Sequence, residues 1–135
     1  TPDALEQALL TLRRYCEGQL YCVFGCGGDR DVGKRSQMGA ISENYADQII
    51  LTNDNPRSEP AEQIIEHILE GIKDKDKVQI KPDRSDAITN AFLNANQTDV
   101  VLIAGKGHET TQTIGKTILP FSDRELARRL TEGDA

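Results

Sequence analysis

The sequence predicts an α/β fold: an open, mostly parallel sheet with helices on both faces and an antiparallel hairpin at one edge. Three observations carry this expectation. Apolar runs recur at 20–24, 48–52 and 99–104, each ending at glycine or at a turn, as strands buried on both faces do. Between them lie segments whose apolar residues repeat at helical spacing. No stretch approaches the about 20 apolar residues that a membrane-spanning helix needs.

Thr1-Pro2-Asp3 reads as a cap and first turn, after which Leu5, Ala8, Leu9 and Leu12 repeat on one helical face until Gly18. Leu20-Tyr-Cys-Val-Phe24 is a buried strand that stops in the glycine loop 25–35. Met38, Ile41 and Tyr45 mark a helix over 36–46, and Gln48-Ile-Ile-Leu-Thr52 a second buried strand. Beyond the turn Asn53-Asp-Asn-Pro56, a helix begins near Pro60, with Ile64, Ile65, Ile68, Leu69 and Ile72 as a continuous stripe. Gly71 and a solvated, lysine-rich turn end it. Lys77-Val-Gln-Ile80 is a short strand, and Asp83 or Ser85 caps the next helix, whose inward face is predicted to be Ala87, Ile88, Ala91, Phe92 and Ala95. Asp99 to Ala104 is the most apolar strand, which predicts a central place in the sheet. Residues 110–119 alternate around Gly115-Lys116 as a hairpin, and Ser122 caps a last helix through Leu130. With no linker or repeat in view, residues 1–135 are expected to form a single domain.

Sixteen Lys and Arg stand against 22 Asp and Glu, a formal net charge of −6 that opposes a broad footprint on nucleic acid or on an anionic membrane. A cytoplasmic monomer without nucleic-acid or membrane partners is the expectation. Cys16, Cys22 and Cys26 form neither an even disulfide set nor a Cys-x-x-Cys metal pair. They are expected to be reduced structural thiols, although Cys26 lies in the glycine loop.

In open α/β sheets ligands bind outside the carboxyl ends of the strands, where the sequence places loops 25–35, 53–59 and 105–109. These contribute Asp29, Arg30, Asp31, Lys34, Arg35, Asn55, Arg57, Lys106, His108 and Glu109. Gly28 to Lys34 satisfies the Gly-x-x-x-x-Gly-Lys spacing of a phosphate loop, yet Arg35 follows where Ser or Thr should hold magnesium. Asp29 and Asp31 would also meet a triphosphate with like charge. The mixture of signs suits a zwitterionic amino acid better, with an Arg fork for its carboxylate and an acid for its ammonium. Asn55, extended because Pro56 follows it, could add amide hydrogen bonds, though Asn-Asp-Asn-Pro is also ordinary turn chemistry. His108 reads as a hydrogen-bonded loop residue, and His67 as structural or exposed.

Thr1-Pro-Asp-Ala-Leu5, Val23-Phe-Gly-Cys-Gly-Gly-Asp-Arg-Asp31 with Gly33-Lys-Arg35, Asp54-Asn-Pro-Arg57 and Ala104-Gly-Lys-Gly-His-Glu109 closely resemble motifs of the carboxyl-terminal domain of the Mur ligases. The resemblance runs from residue 1 to about residue 130 and is to those members that add the third residue of the peptidoglycan peptide. It implies a Rossmann-like third domain of a three-domain enzyme that uses ATP and magnesium to join an amino acid to UDP-N-acetylmuramoyl-L-Ala-D-Glu through an acyl phosphate. The nucleotide and metal would be held mainly by a central domain that this chain does not contain, so the isolated domain is expected to be inactive. Residue by residue, the resemblance implies that Arg30, Asn55, Arg57, Gly105 and Glu109 contact the incoming amino acid and that Asp29 reaches the ATP. It assigns no catalytic or metal-binding residue to this chain. The Asp-Asn-Pro-Arg form at 54–57 is the one associated with meso-diaminopimelate, whose distal centre is itself a zwitterion. Lysine lacks the distal carboxylate and would leave the clamp of Arg57 and Asn55 without a partner.

The competing class is a free-standing α/β module that binds a nucleotide or an amino acid without catalysis. A dinucleotide-dependent oxidoreductase fits poorly, because Arg30 stands where the third glycine of that fingerprint belongs.

Overall fold

The computed structural model describes residues 1–105, 111–114, 117–120 and 123–132. Its elements follow in the order α1 (Pro2–Arg13), β1 (Leu20–Phe24), α2 (Gly33–Tyr45), β2 (Gln48–Leu51), α3 (Ala61–Leu69), β3 (Val78–Ile80), α4 (Arg84–Asn94), β4 (Val100–Ile103), β5 (Thr111–Ile114), β6 (Thr117–Pro120) and α5 (Asp123–Thr131). Four strands form one parallel sheet in the order β3-β2-β1-β4. The antiparallel hairpin of β5 and β6 is a separate two-stranded sheet.

Alternate residues of β1 feed two cores, which is why its sequence is apolar throughout. Leu20, Cys22 and Phe24 pack with α1, α2 and α3, while Tyr21 and Val23 pack with Ala87, Ile88 and Ala91 of α4 and Leu126 and Leu130 of α5. The chain steps from β1 through α2 and α3 to β3 in one direction. It then returns through α4 to place β4 on the other side of β1. Right-handed crossovers made in opposite directions put their helices on opposite faces. The strand order therefore reverses between β1 and β4, and the crevice that results lies beside the loops that leave them.

Two expectations are corrected. β4 is an end strand of the four, with half-buried residues, and is not central. Its apolar character comes from covering both faces, since Val100 and Leu102 pack against one core and Val101 and Ile103 against the other. Phe92 is 40% exposed and does not belong to the inward face of α4. The caps were legible: Thr1 Oγ1 accepts from the Ala4 amide at 3.2 Å, and Asp83 Oδ1 from the Asp86 amide at 3.0 Å. Ser122 lies outside the described residues.

Candidate functional site

The glycine loop after β1 and the turn after β2 are bonded into one unit. The Gly28 amide donates to Asn55 O at 2.7 Å, and Arg57 Nη1 donates back to Gly28 O at 2.9 Å and to Asn55 O at 3.3 Å. A Cβ on Gly28 would overlap the Pro56 carbonyl, so this approach requires glycine. Asp29 and Arg57 both hold left-handed backbone, at φ 56° and 52°. Such a conformation costs a non-glycine residue about 1–2 kcal/mol and persists where its surroundings over-determine it. Here the Asp29 amide donates to Glu59 Oε1 at 2.6 Å, and the Asp29 carboxylate accepts from Ser58 Oγ at 2.7 and 2.8 Å.

Arg35 explains the broken phosphate-loop pattern. It sits in the first turn of α2 with 1% exposure, and its guanidinium faces inward. Nη2 and Nη1 donate to Glu59 Oε1 at 2.7 Å and Oε2 at 2.9 Å, a bidentate pair, and Nη2 also donates to Gly27 O at 3.0 Å. Nη1 lies 3.0 Å from His67 Nδ1. Because arginine can only donate, His67 Nδ1 accepts and the ring proton resides on Nε2. The hydrogen bonds from Arg35, followed by that from the Asp29 amide, hold the Glu59 carboxyl down to about 2. Its pairing with Glu59 raises Arg35 in turn.

Phosphate loops work through bare backbone amides, and four of the amides here already have partners within the protein. Gly28 donates to Asn55, Asp29 to Glu59, Gly33 to Asp31 Oδ1 at 2.9 Å, and Arg35 to Val32 O at 3.1 Å. With those amides occupied and a buried, Glu59-bound Arg35 where a magnesium hydroxyl would stand, loop 25–35 fits a triphosphate with its magnesium poorly, despite the phosphate-loop spacing.

A cleft of about 370 Å³ opens over the glycine loop, between the start of α1, the first turns of α2 and Gly105, and Gly27, Arg30, Asp31, Lys34 and Asp54 also line it. Arg30 is exposed on it. Gly105 turns the chain at its rim with φ 102°, a left-handed value that glycine adopts without strain. Asn55 is 8% exposed. The Arg57 guanidinium lies directly beneath Gly27, since a Cβ added there would stand 2.9 Å from Nη1. The bonded loops thus hold Asp29, Arg30, Asn55 and Arg57 together, Arg30 and Gly105 line the cleft, and Asp29 faces Ser58. Lys106, His108 and Glu109 lie outside the described residues. Burial raises the Cys26 thiol to about 11, so it is protonated at neutral pH and gives no support to a nucleophilic role.

A second buried pair was not foreseen. Arg84, 2% exposed, donates through Nε and Nη2 to Asp123 of α5, both at 2.7 Å. The same guanidinium donates to Asn53 O and Ala104 O, both at 3.1 Å, and so ties together the chain segments that enter the turn after β2 and the loop after β4. Partners 39 residues apart leave no periodic trace in a sequence. The signal available was an arginine next to a cap, inside an otherwise apolar helix face.

The arrangement offers the cations of Arg30 and Lys34 beside the carboxylates of Asp31 and Asp54, in a cleft sized for a small molecule. That combination pairs with both ends of a zwitterion. No described helix is long and apolar enough to cross a membrane.

The family profile described as Mur ligase, glutamate ligase domain, matches residues 1–107. The UDP-N-acetylmuramoyl-L-alanyl-D-glutamate–2,6-diaminopimelate ligase of Coxiella burnetii (strain RSA 493 / Nine Mile phase I) is 60% identical over 129 residues, covering 96% of this chain and 26% of that protein. The enzyme of the same name from Haemophilus influenzae (strain PittGG) is 55% identical over 127 residues, 94% of this chain and 26% of its own. A solved structure of a ligase with this name superposes with a TM-score of 0.92 at 44% identity, over 98% of this chain and 28% of that one. Folylpolyglutamate synthase from Thermotoga maritima, at 16% identity and a TM-score of 0.52 over 75% of this chain, shares the fold alone. The chain spans 26% of the length of the curated relatives it matches.

Proposed function

The chain belongs to the family described as Mur ligase, glutamate ligase domain, and from that premise we propose that it is the amino-acid-presenting lobe of an ATP-dependent ligase. That enzyme would add meso-diaminopimelate to UDP-N-acetylmuramoyl-L-Ala-D-Glu in peptidoglycan synthesis. The names of the relatives support the substrate. The observation that carries the reading to this chain is the cross-linked pair of loops, which sets Arg30 on the cleft and packs the Arg57 guanidinium and Asn55 beside Gly27 of its wall.

In this reading Arg30 and Arg57 take the distal carboxylate of the amino acid, and Asn55 adds an amide that can both donate and accept. Gly105, without a side chain, lets the ligand approach the backbone at the rim, and Glu109 pairs with the distal ammonium. Asp29 is the residue of this lobe proposed to face the nucleotide. The lobe's work is orientation, because a fixed amine attacks an activated carboxyl far faster than a free one. Activation at phosphate and magnesium falls to a domain outside this chain, and residues 1–135 by themselves are proposed to be inactive.

In the full-length enzyme, Arg57→Ala is expected to raise KM for meso-diaminopimelate by about tenfold or more, the usual cost of losing a hydrogen bond to a charged group, while KM for ATP stays within about twofold. Steady-state kinetics with each substrate varied in turn decide it. Unchanged diaminopimelate kinetics would favour a module that binds some other ligand.

A further inference from the structure

We propose that Arg35 and Glu59 are positioning residues that set selectivity for an amino acid with a distal carboxylate, by holding Arg57 in its working geometry. The inference rests on the function proposed above. Arg57 sits in a tight turn closed by the Glu59 amide, which donates to Pro56 O at 3.0 Å, and its backbone is left-handed. Nothing in the arginine side chain favours that conformation, so it must be imposed from outside. Glu59 imposes it: the carboxylate ending this turn is gripped on both oxygens by Arg35. The Arg35 guanidinium also holds Gly27 O, beside the carbonyl of Gly28 that receives Arg57 Nη1. One buried side chain on α2 thereby fixes both the turn that carries Arg57 and the carbonyl strip against which its guanidinium rests. The Asp29 amide on Glu59 Oε1 and the Ser58 hydroxyl on Asp29 close the ring.

Geometry, rather than charge, is what Arg35 supplies. A planar fork can meet two carboxylate oxygens and a carbonyl at once, whereas a lysine ammonium is a compact point charge on a flexible stem. Arg35→Lys therefore preserves the charge and removes the fork. In the full-length enzyme this variant is expected to raise KM for meso-diaminopimelate about tenfold, with kcat and KM for ATP within about twofold. A residue acting only through Arg57 must also lose its effect when Arg57 is gone. In a cycle of Arg35→Lys, Arg57→Ala and the double variant, the double is expected to match Arg57→Ala within about twofold.

Should Arg35→Lys fail to fold by circular dichroism, Glu59→Gln replaces it in the same cycle with the same expectation, since it keeps the side chain's shape. Arg57→Ala raising KM while the Arg35 or Glu59 variant leaves it unchanged would overturn the positioning role and leave the proposed function standing. Multiplicative effects in the double variant would overturn it too. No effect of Arg57→Ala would overturn both.

Discussion

Arg35 and Arg84 are each almost wholly buried, and each bridges two loops at the carboxyl edge of the sheet, yet they anchor to carboxylates in different settings. Glu59, the partner of Arg35, keeps 19% of its side chain exposed and lies two residues from Arg57, whereas Asp123, the partner of Arg84, keeps 6% and lies on α5. Burial decides how much free energy a broken pair costs, and location decides what it is for. The Arg84 pair should act mainly as a brace for the whole carboxyl edge, and the Arg35 pair mainly as a gauge for one side chain.

The sharpest way to break this contrast is Arg84→Met. It would leave the Asp123 carboxylate buried without its cation, a loss of about 3–5 kcal/mol for such pairs, and thermal unfolding of the full-length enzyme should show it. Adding Asp123→Leu is expected to recover much of that loss, because two apolar groups of similar volume need no compensation. If Arg84→Met left the melting temperature unchanged and altered only diaminopimelate kinetics, the two arginines would not differ as described.

A smaller effect tests the other side. With the Glu59 carboxyl lowered from 4.5 to about 2, its pairing contributes stability above pH 4.5 and loses it as pH falls toward 2. The difference in Tm between wild type and Glu59→Gln is therefore expected to shrink steadily across that window. A difference independent of pH would mean that the charge of Glu59 contributes nothing.

What the sequence disclosed and what it hid divide along physical lines. β1 was legible as Leu20 to Phe24 because strands that feed two cores must be apolar at every position. The same rule made β4 look central, although it ends the four-stranded sheet; hydrophobicity reports coverage of faces and says nothing about neighbours along the ladder. Helix α2 begins at Gly33, three residues before the apolar pattern suggested, because its first turn is governed by the Asp31 carboxylate on the Gly33 amide and by the inward Arg35. The loops that carry Arg30, Asn55 and Arg57 could be brought to one edge because loops after parallel strands converge there. Their supports could not be: Arg35 and Glu59 are 24 residues apart, Arg84 and Asp123 are 39 apart, and ion pairs have no period.

The central claim is that Arg30 and Arg57 read a carboxylate that lysine lacks. Its most direct test is the ratio of kcat/KM for meso-diaminopimelate to that for lysine, measured on the full-length enzyme and on its Arg30→Ala/Arg57→Ala variant. A site built to pair a substrate group rejects the analogue without it by about a thousandfold or more, so a ratio of that order is expected, falling at least about tenfold in the variant. A ratio near one, or a ratio unmoved by removing both arginines, would contradict the account.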